Sequence, residues 1–443
     1  MEPEAVNLKR RVPELDGLRG VAILLVLFYH YFQSAQMPAA LAALGRLSWS
    51  GVDLFFVLSG FLVGGILLDA RTSPNYFKTF YARRAYRILP LYALLCVAFW
   101  LIRGLTNAQH ADPALAWLFS NAHPWYAYAA LLQNFFMAYA GTLGPAWLGA
   151  TWSLAIEEQF YLTLPFIIRY VRPRQLPYVL ASILIAAPIV RAALRLAFAH
   201  GEFGAYVLMP ARADALMLGV GAALLMRSRE GREFLLRNRY VLYAAQVVLL
   251  GGMVWMSLKT TGASAETSVA AAAATTETTS AQTATLDAWA SSRLYLRTLL
   301  SSLNYTWIAL FYACMLLIAV TQRRSALARA LRARWLMAAG VVAYGAYLFH
   351  QPFLGLCYGL ARRGRVPAIE NAGDAGLTLV ALLLTLALAK ISWSYFERPL
   401  VARGHEFRYR EGAEPEASPG EASDESSGKA SGKTSGKGRL AVG

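Results

Sequence analysis

The sequence predicts an all-α integral membrane protein with about ten transmembrane helices and one re-entrant or interfacial helix. Of its 443 residues, 57% are hydrophobic, and the mean hydropathy is +0.40, which exceeds that of an ordinary soluble domain. The formal net charge is +16. Because the basic residues lie between apolar runs, the charge indicates membrane topology and argues against a nucleic-acid partner.

A transmembrane helix requires about 20 mostly apolar residues. Ten stretches fit this length approximately: 18–36, 50–69, 88–105, 150–169, 178–198, 211–226, 240–258, 298–320, 335–358 and 374–393. A shorter apolar stretch, WYAYAALLQNFFMAY at 125–139, fits a re-entrant or interfacial helix, or an eleventh span.

Basic residues set the predicted orientation. Arginines concentrate in alternate connections, at 70–87, 170–177, 227–239 and 321–334, whereas the other connections hold few apart from a contrary group at 362–365. This bias favours both termini in the cytoplasm. An eleventh span at 125–139 would invert every later connection, so we predict that this stretch does not cross the membrane.

The predicted organisation is one transmembrane domain at 1–400, with an uncleaved first span, and a disordered cytoplasmic tail at 401–443 rich in Gly, Ser and charge. The low-complexity stretch 259–292 is also predicted to be a disordered loop. The three cysteines lie in apolar runs without a CxxC spacing, so we predict neither a disulfide framework nor a metal site.

The first span contains a histidine, His30, eleven residues after Arg19. On a helix this separation is about 16 Å, which would place His30 near the middle of the membrane if Arg19 lies at the cytoplasmic interface. Ionisable groups at that depth usually face a bundle interior or a wet cavity. Burial favours the neutral imidazole, which is the form that a general base requires. A structural histidine satisfied by a neighbouring helix is the alternative.

Three arginines, Arg83, Arg84 and Arg87, precede the third span, with tyrosines interleaved. An ordinary positive-inside signal explains some of them, but the cluster is denser than topology requires. Guanidinium groups bind phosphate oxygens in bidentate fashion. The cluster therefore predicts a site for a phosphorylated cytosolic ligand.

Carboxylates occur at two places in apolar spans. Glu157 and Glu158 lie side by side in TWSLAIEEQFYLTLP, and Ser153 shares a helical face with Glu157. Asp53 is the acid nearest the start of the second span, where an interfacial role is the alternative. We take Glu157, Glu158 and Asp53 as candidate catalytic residues with His30.

Weaker signals occur elsewhere. Arg212 and Asp214 at the mouth of a span are spaced to pair with each other, and His350 precedes a proline in YLFHQP. Gly60 and Gly64 are four residues apart, a spacing that favours close helix packing.

The sequence resembles the membrane-bound acyltransferase-3 family. Six motifs occur in the family's order over about residues 13–400: LDGLRGVAILLVLFYH, GVDLFFVLSGFL, RRAYRILPLY, WSLAIEEQFYLTLP, YLFHQP and FERP. One such motif would be weak, but six in order are specific. The resemblance implies an integral membrane O-acyltransferase with a central catalytic cavity, in a bacterial cytoplasmic membrane.

The resemblance also implies the substrates and site. The family takes an acyl group, commonly acetyl, from cytosolic acyl-CoA to a hydroxyl of a glycan or lipid-linked saccharide outside the cytoplasm. Arg19 and His30 match its arginine–histidine motif, and Arg84 and Arg87, with Arg83 beside them, match its arginine cluster. We expect the arginines to bind coenzyme A, His30 to be the base, and Glu157 or Glu158, on the acceptor side, to orient His30 or stabilise its imidazolium. Direct transfer and an acyl-enzyme route both remain open, and Ser153 is the nearest residue to a nucleophile for the second.

Other functions remain open from the sequence. A polytopic transporter or flippase of a glycan or lipid-linked precursor would also explain many spans with buried ionisable groups, although it would not need the arginine cluster. A membrane glycosyltransferase would need an acidic site in a large loop, and no loop offers one. Some relatives carry a soluble domain after the membrane part, so a separate partner for the acyl group also remains open.

Overall fold

The all-α membrane fold is confirmed by a computed structural model. The structure describes residues 12–32, 39–106, 113–273, 280–362 and 365–410, with side chains left out at 39–41, 43, 113–114 and 258–297. These residues form helices, connecting turns and no strand.

The described chain contains long helices with shorter helices between some of them. The first ten are α1 (Pro13–Phe32), α2 (Ala39–Ser48), α3 (Gly51–Asp69), α4 (Tyr76–Thr106), α5 (Pro113–Phe119), α6 (Trp125–Ala129), α7 (Gln133–Ala140), α8 (Ala146–Gly149), α9 (Thr151–Tyr170) and α10 (Leu176–Ala197). The next ten are α11 (Gly201–Val207), α12 (Met209–Arg227), α13 (Arg229–Arg237), α14 (Arg239–Ala273), α15 (Ser280–Thr321), α16 (Ala326–Leu331), α17 (Arg334–Val341), α18 (Ala343–Ala361), α19 (Ala372–Ser392) and α20 (Arg398–Glu406). A π-helical turn, Trp393–Glu397, joins α19 to α20.

Eight helical stretches of the described chain are long and apolar enough to cross a membrane, compared with ten predicted spans. The other two predicted spans, 150–169 and 335–358, correspond to α9 and to α17 with α18. Helix α9 carries the two adjacent glutamates, and the second stretch is divided near Val342 and carries His350. These polar residues lower the hydropathy of segments that also supply the candidate site.

Helices α4 and α9 run antiparallel. The ring of Phe77 near the start of α4 lies 4.9 Å from that of Phe166 near the end of α9. At the other end, the indole of Trp147, just before α9, donates to the carbonyl of Leu95 over 3.2 Å. We call the end of the bundle where α4 starts the arginine end, because it carries Arg83, Arg84 and Arg87.

The segment between α4 and α9 starts and finishes away from the arginine end. Its helices α6 and α7 have five and eight residues, too few to cross a membrane. Leu131 between them has a φ of 57°, a left-handed conformation that ends the first helix. Tyr92 of α4 donates to the carbonyl of Tyr128, and Gln133 donates to that of Thr151. One re-entrant helix was predicted, and two short helices folded against α4 and α9 are found.

Cysteine labelling tests this topology. We expect single cysteines at Thr106 and Thr142, both exposed, to react with a membrane-impermeant thiol reagent from the same side of intact spheroplasts. A cysteine at Gln175, between α9 and α10, should react only after permeabilisation. The background variant replaces Cys96 together with Cys314 and Cys357. If the cysteine at position 142 is protected from the reagent in intact spheroplasts while that at position 106 reacts, the chain between α4 and α9 crosses the membrane.

Helices α3 and α12 pack with unusually close backbones. A Cβ at Gly60 would overlap the carbonyl of Leu216, and one at Gly219 would overlap the carbonyl of Val57. Gly64 of α3 also faces α12, at Val220. The predicted packing role of Gly60 and Gly64 is therefore confirmed, and the contact brings α3 against α12 near Asp53.

Two predicted disordered stretches are partly helical. Within 259–292, α14 and α15 are helical apart from 274–279, which lie outside the described residues. Alanine, abundant there, has the highest helix propensity, so the prediction of a disordered loop was wrong for the helical part. Helix α20 crosses the predicted boundary at residue 400, and contacts continue to Arg410. Residues 411–443 lie outside the described part, and their disorder stays a prediction.

Candidate active site

Arginines from two helices meet at the arginine end. The charges of Arg19 on α1 and of Arg84 and Arg87 on α4 act on one another. Arg19 forms an ion pair with Asp16 over 3.2 Å. No carboxylate of the described chain forms an ion pair with Arg84 or Arg87, although both side chains are largely enclosed by protein. Like charges held together without acid partners repel, so this cluster favours the binding of an anion.

Arg84 is held by aromatic rings rather than by acids. Its guanidinium carbon lies 5.6 Å from the ring centre of Tyr161 and 6.0 Å from that of Phe80, within range of cation–π attraction. Its Nε is buried without a hydrogen-bond partner. The rings fix the guanidinium while leaving it free to bind an acceptor.

Arg83 makes contacts that differ from those of Arg84. Its Nε donates to the carbonyl of Phe407 over 2.7 Å, and its guanidinium lies 5.2 Å from the ring centre of Tyr409. Adjacent helical positions point about 100° apart, because there are 3.6 residues per turn. Arg83 therefore anchors residues 407–409 against α4, which the sequence did not predict.

The two glutamates belong to the arginine end. Glu157 Oε2 accepts a hydrogen bond from Tyr161 over 3.1 Å, and the charges of Arg84, Arg87 and Arg19 act on its carboxylate. The charges of Glu157 and Arg84 act on the carboxylate of Glu158. No hydrogen bond or ion pair within the described residues joins either glutamate to His30. The expectation that one of them orients His30 from the acceptor side is therefore not met, because α9 directs these two side chains towards α4.

His30 is paired with a second histidine, His350 of α18. Their ring centres are 4.6 Å apart, edge to face at 68°. His30 Nδ1 lies 2.9 Å from the carbonyl of Val26, and His350 Nδ1 lies 2.6 Å from that of Tyr347. A carbonyl only accepts, so each Nδ1 carries the proton, and Nε2 of each neutral ring is left as an acceptor. His30 therefore has the tautomer that a general base needs.

A cavity of about 80 Å³ is lined at one place by Glu157 and at another by Tyr347, a neighbour of His350. Its lining includes Glu157, Ser153, Tyr344 and Tyr347 beside apolar side chains of α3 and α18. The Tyr347 ring lies 5.7 Å from that of His350. The cavity thus extends from the carboxylate at the arginine end to the neighbour of the histidine pair.

Ser153 is held by its own contacts in this cavity. Its hydroxyl forms a 2.6 Å hydrogen bond with that of Tyr347, and it donates to the carbonyl of Ala150. Neither group is a base, so the surroundings of Ser153 do not activate it as a nucleophile.

Asp53 lies in a separate ion-pair network. Arg212 donates to its Oδ1 over 2.6 Å, and both side chains are 1% exposed. Arg191 pairs with Asp214 over 2.8 Å, and the two pairs interact. The predicted pairing of Arg212 with Asp214 was wrong, because Gly60 and Gly219 bring α3 close enough for Asp53 to take that arginine. Asp53 is placed as a structural counter-ion rather than beside His30.

This placement predicts a stability effect. Asp53→Leu leaves Arg212 buried and unpaired, which should cost about 3–5 kcal/mol. The double variant Asp53→Leu with Arg212→Met removes both charges and should recover most of that loss. Thermal unfolding in detergent measures both. Wild-type stability with lost activity in the single variant would instead assign Asp53 to the chemistry.

The sequence motifs pointed to His30 and the arginines but gave little indication of two of their neighbours, His350 and Tyr161. His350 was noted only as a weak signal before Pro352, and Tyr161 was not singled out. The spacing of Glu157 and Tyr161, four residues apart on one helical face, was the available signal for the tyrosine. No sequence pattern showed that α18 faces α1, so the histidine pairing could not be foreseen.

Comparison with known proteins agrees with this arrangement. A family model described as an acyltransferase domain matches residues 12–393. The chain belongs to this acyltransferase family. It is a multi-pass membrane member, with apolar helices in most of the matched region. No solved structure matches the chain.

Three similar proteins represent the curated relatives of this acyltransferase. The O-acetyltransferase OatA of Staphylococcus aureus is 26% identical over 406 residues, which cover 89% of this chain and 58% of that protein. The putative peptidoglycan O-acetyltransferase YrhL of Bacillus subtilis is 34% identical over 35% of this chain and 23% of its own length. The peptidoglycan O-acetyltransferase OatA of Listeria monocytogenes is 32% identical over 42% of this chain and 28% of its own length. The chain thus spans little more than half of the first of these relatives.

Proposed function

We propose that this protein is a membrane O-acyltransferase that moves an acyl group, with acetyl expected, from acyl-CoA to a hydroxyl of an envelope glycan. The observation that carries the proposal is the pairing of two features in one bundle. Arg84 and Arg87 form no ion pair with a carboxylate of the described chain. His30 Nδ1 lies against the carbonyl of Val26, which leaves Nε2 as the acceptor, and a cavity lined by Glu157 and Tyr347 lies near both places. Membership of an acyltransferase family favours this reaction over transport.

The donor is proposed to bind at the arginine end. Coenzyme A carries a diphosphate and a ribose phosphate, and arginine forks match phosphate oxygens. Arg19, Arg84 and Arg87 would supply the positive charge, with the rings of Tyr161 and Phe80 positioning Arg84. This end is then cytosolic. The start of α1 and the end of α20 both lie there, which agrees with cytoplasmic termini in a bacterial inner membrane.

The chemical step is proposed to be direct transfer. The acceptor oxygen attacks the thioester carbon, the C–S bond breaks, and His30 Nε2 takes the hydroxyl proton as the C–O bond forms. The proton then passes to the coenzyme A thiolate. His350 holds the ring of His30 edge-on, and the two Nδ1 hydrogen bonds keep both tautomers fixed.

The acceptor is proposed to be peptidoglycan or its lipid-linked precursor, on the evidence of what the Bacillus and Listeria relatives are named for. It would approach from the end opposite the arginines, where α1 ends two residues after His30. No metal is needed for this chemistry, because the positive charge comes from arginines.

A mass comparison tests the proposed function. Peptidoglycan fragments from a strain carrying the gene should contain a species heavier by one acetyl group, and a strain lacking it should not. Restoring the wild-type gene should restore the mass, and restoring a His30→Ala gene should not. Identical fragment masses with and without the gene, together with identical masses of other surface glycans, would contradict the proposal.

A further inference from the structure

Residues 398–410, which we call the 398–410 segment, pack against the start of α4. Asn75 Nδ2 donates to the carbonyl of Arg408 over 2.8 Å, and Arg83 Nε donates to that of Phe407. These side chain–backbone hydrogen bonds fix the segment beside the arginine cluster. The segment therefore forms part of the surroundings of any ligand that the arginines bind.

The 398–410 segment adds an imidazole, that of His405, beside the arginine cluster. The charged groups that act on His405 are Arg83, Arg87 and Arg84. No carboxylate in the described chain forms an ion pair with His405, and its side chain is exposed. An imidazole N–H beside three arginines can donate to a polyanion that the arginines attract.

Two polar groups at the same place lack partners. The hydroxyl of Tyr409 and Nε of Arg84 are both buried without a hydrogen bond within the described residues. The Tyr409 ring lies against Arg83, and the charges of Arg83 and Arg84 both act on it. A buried donor left unpaired is destabilising. Two such donors beside a cationic cluster indicate that an anionic acceptor completes the site.

The order of groups in coenzyme A suggests how the ligand would lie. Arg87 is one helical turn, about 6 Å, further along α4 than Arg83, towards the cavity. The thioester must reach the cavity, the diphosphate follows the pantetheine arm, and the phosphorylated adenosine comes last. The nucleotide end would therefore lie at the level of Arg83 and the 398–410 segment.

We propose that the 398–410 segment forms one wall of the coenzyme A site, where His405 and Tyr409 bind the phosphate on the adenosine ribose while Arg84 and Arg87 bind the diphosphate. The proposal rests on the proposed function, because it takes coenzyme A as the donor. Arg83 acts as a positioning residue that holds the segment in place.

Ligand truncation tests this assignment. Binding of coenzyme A and of 3′-dephospho-coenzyme A is measured on the full chain in nanodiscs. His405→Ala and Tyr409→Phe should each weaken coenzyme A binding about tenfold. Neither should weaken binding of the dephospho form. His200→Ala and Tyr395→Phe, exposed residues away from the cluster, are the matched controls.

The outcomes separate this proposal from the function on which it rests. An equal loss of affinity for both ligands in the His405 and Tyr409 variants would overturn the proposed contact with the ribose phosphate. Wild-type affinity in both variants would overturn any role of the segment. If the unaltered protein binds neither ligand, the donor assignment itself is wrong and this proposal fails with it. Tyr409→Phe removes a single hydroxyl, so it keeps the test decisive if His405→Ala lowers the yield of folded protein.

Discussion

Replacing His30 with alanine is expected to abolish acyl transfer while leaving the protein folded in the membrane. A positioned general base contributes typically 10²–10⁴-fold to the rate, and no other free basic group of the described chain lies beside His350. His30→Gln should lose as much activity, because the amide fills a similar volume but does not take the proton. The measurement is the turnover of purified protein with acetyl-CoA and a glycan acceptor.

A matched control separates chemistry from folding in that experiment. His200→Gln changes an exposed histidine away from the site and should retain full turnover. All variants should elute as monodisperse protein and bind coenzyme A equally. Turnover near the wild-type rate in either His30 variant would rule out the general-base role.

Arg84→Ala and Arg87→Ala are expected to weaken binding of acyl-CoA. Each charge-assisted contact to phosphate is worth roughly 1.5–3 kcal/mol, which corresponds to about 10- to 150-fold in affinity. The loss should depend on the nucleotide, because the guanidinium groups are proposed to bind its diphosphate. Equilibrium binding of acetyl-CoA to each variant measures it.

The comparison ligand is a short acetyl thioester without the nucleotide. Its binding or use should be the same in wild-type protein and in both variants. Arg103→Ala, on the same helix but towards its other end, serves as the control variant and should bind acetyl-CoA normally. Equal losses for the short thioester and acetyl-CoA would show that the cluster does not bind phosphates.

The sequence predicted the class of fold because the hydrophobic runs and the basic connections are local properties. Eight of the ten predicted spans correspond to stretches that are long and apolar enough to cross a membrane. The other two, α9 and α17 with α18, are helical but carry polar residues of the candidate site. The sequence did not reveal the helicity within 259–292, where alanine-rich composition was interpreted as low complexity. The length of α20 beyond residue 400 depends on contacts with Asn75 and Arg83, which no local pattern reveals.

The candidate site was predictable in its parts but not in its arrangement. Arg84 and Arg87 share the arginine end with Arg19, as their positions relative to the spans suggested. The neighbours of Asp53 and of the two glutamates depend on which helices pack together, and no local sequence pattern specifies that packing. The close approach of α3 and α12 at Gly60 places Asp53 beside Arg212, and the packing of α18 against α1 places His350 beside His30.

The most direct test of the central claim is transfer of a labelled acetyl group by the purified protein in sealed proteoliposomes. Acetyl-CoA labelled in its acetyl group is supplied on the side where the arginine end is accessible, and a peptidoglycan fragment is supplied on the opposite side. We predict that the label appears on the fragment as an alkali-labile ester, and that neither His30→Ala nor Arg84→Ala protein transfers it efficiently. Movement of the fragment across the membrane without labelling would contradict the account and would instead indicate a transporter.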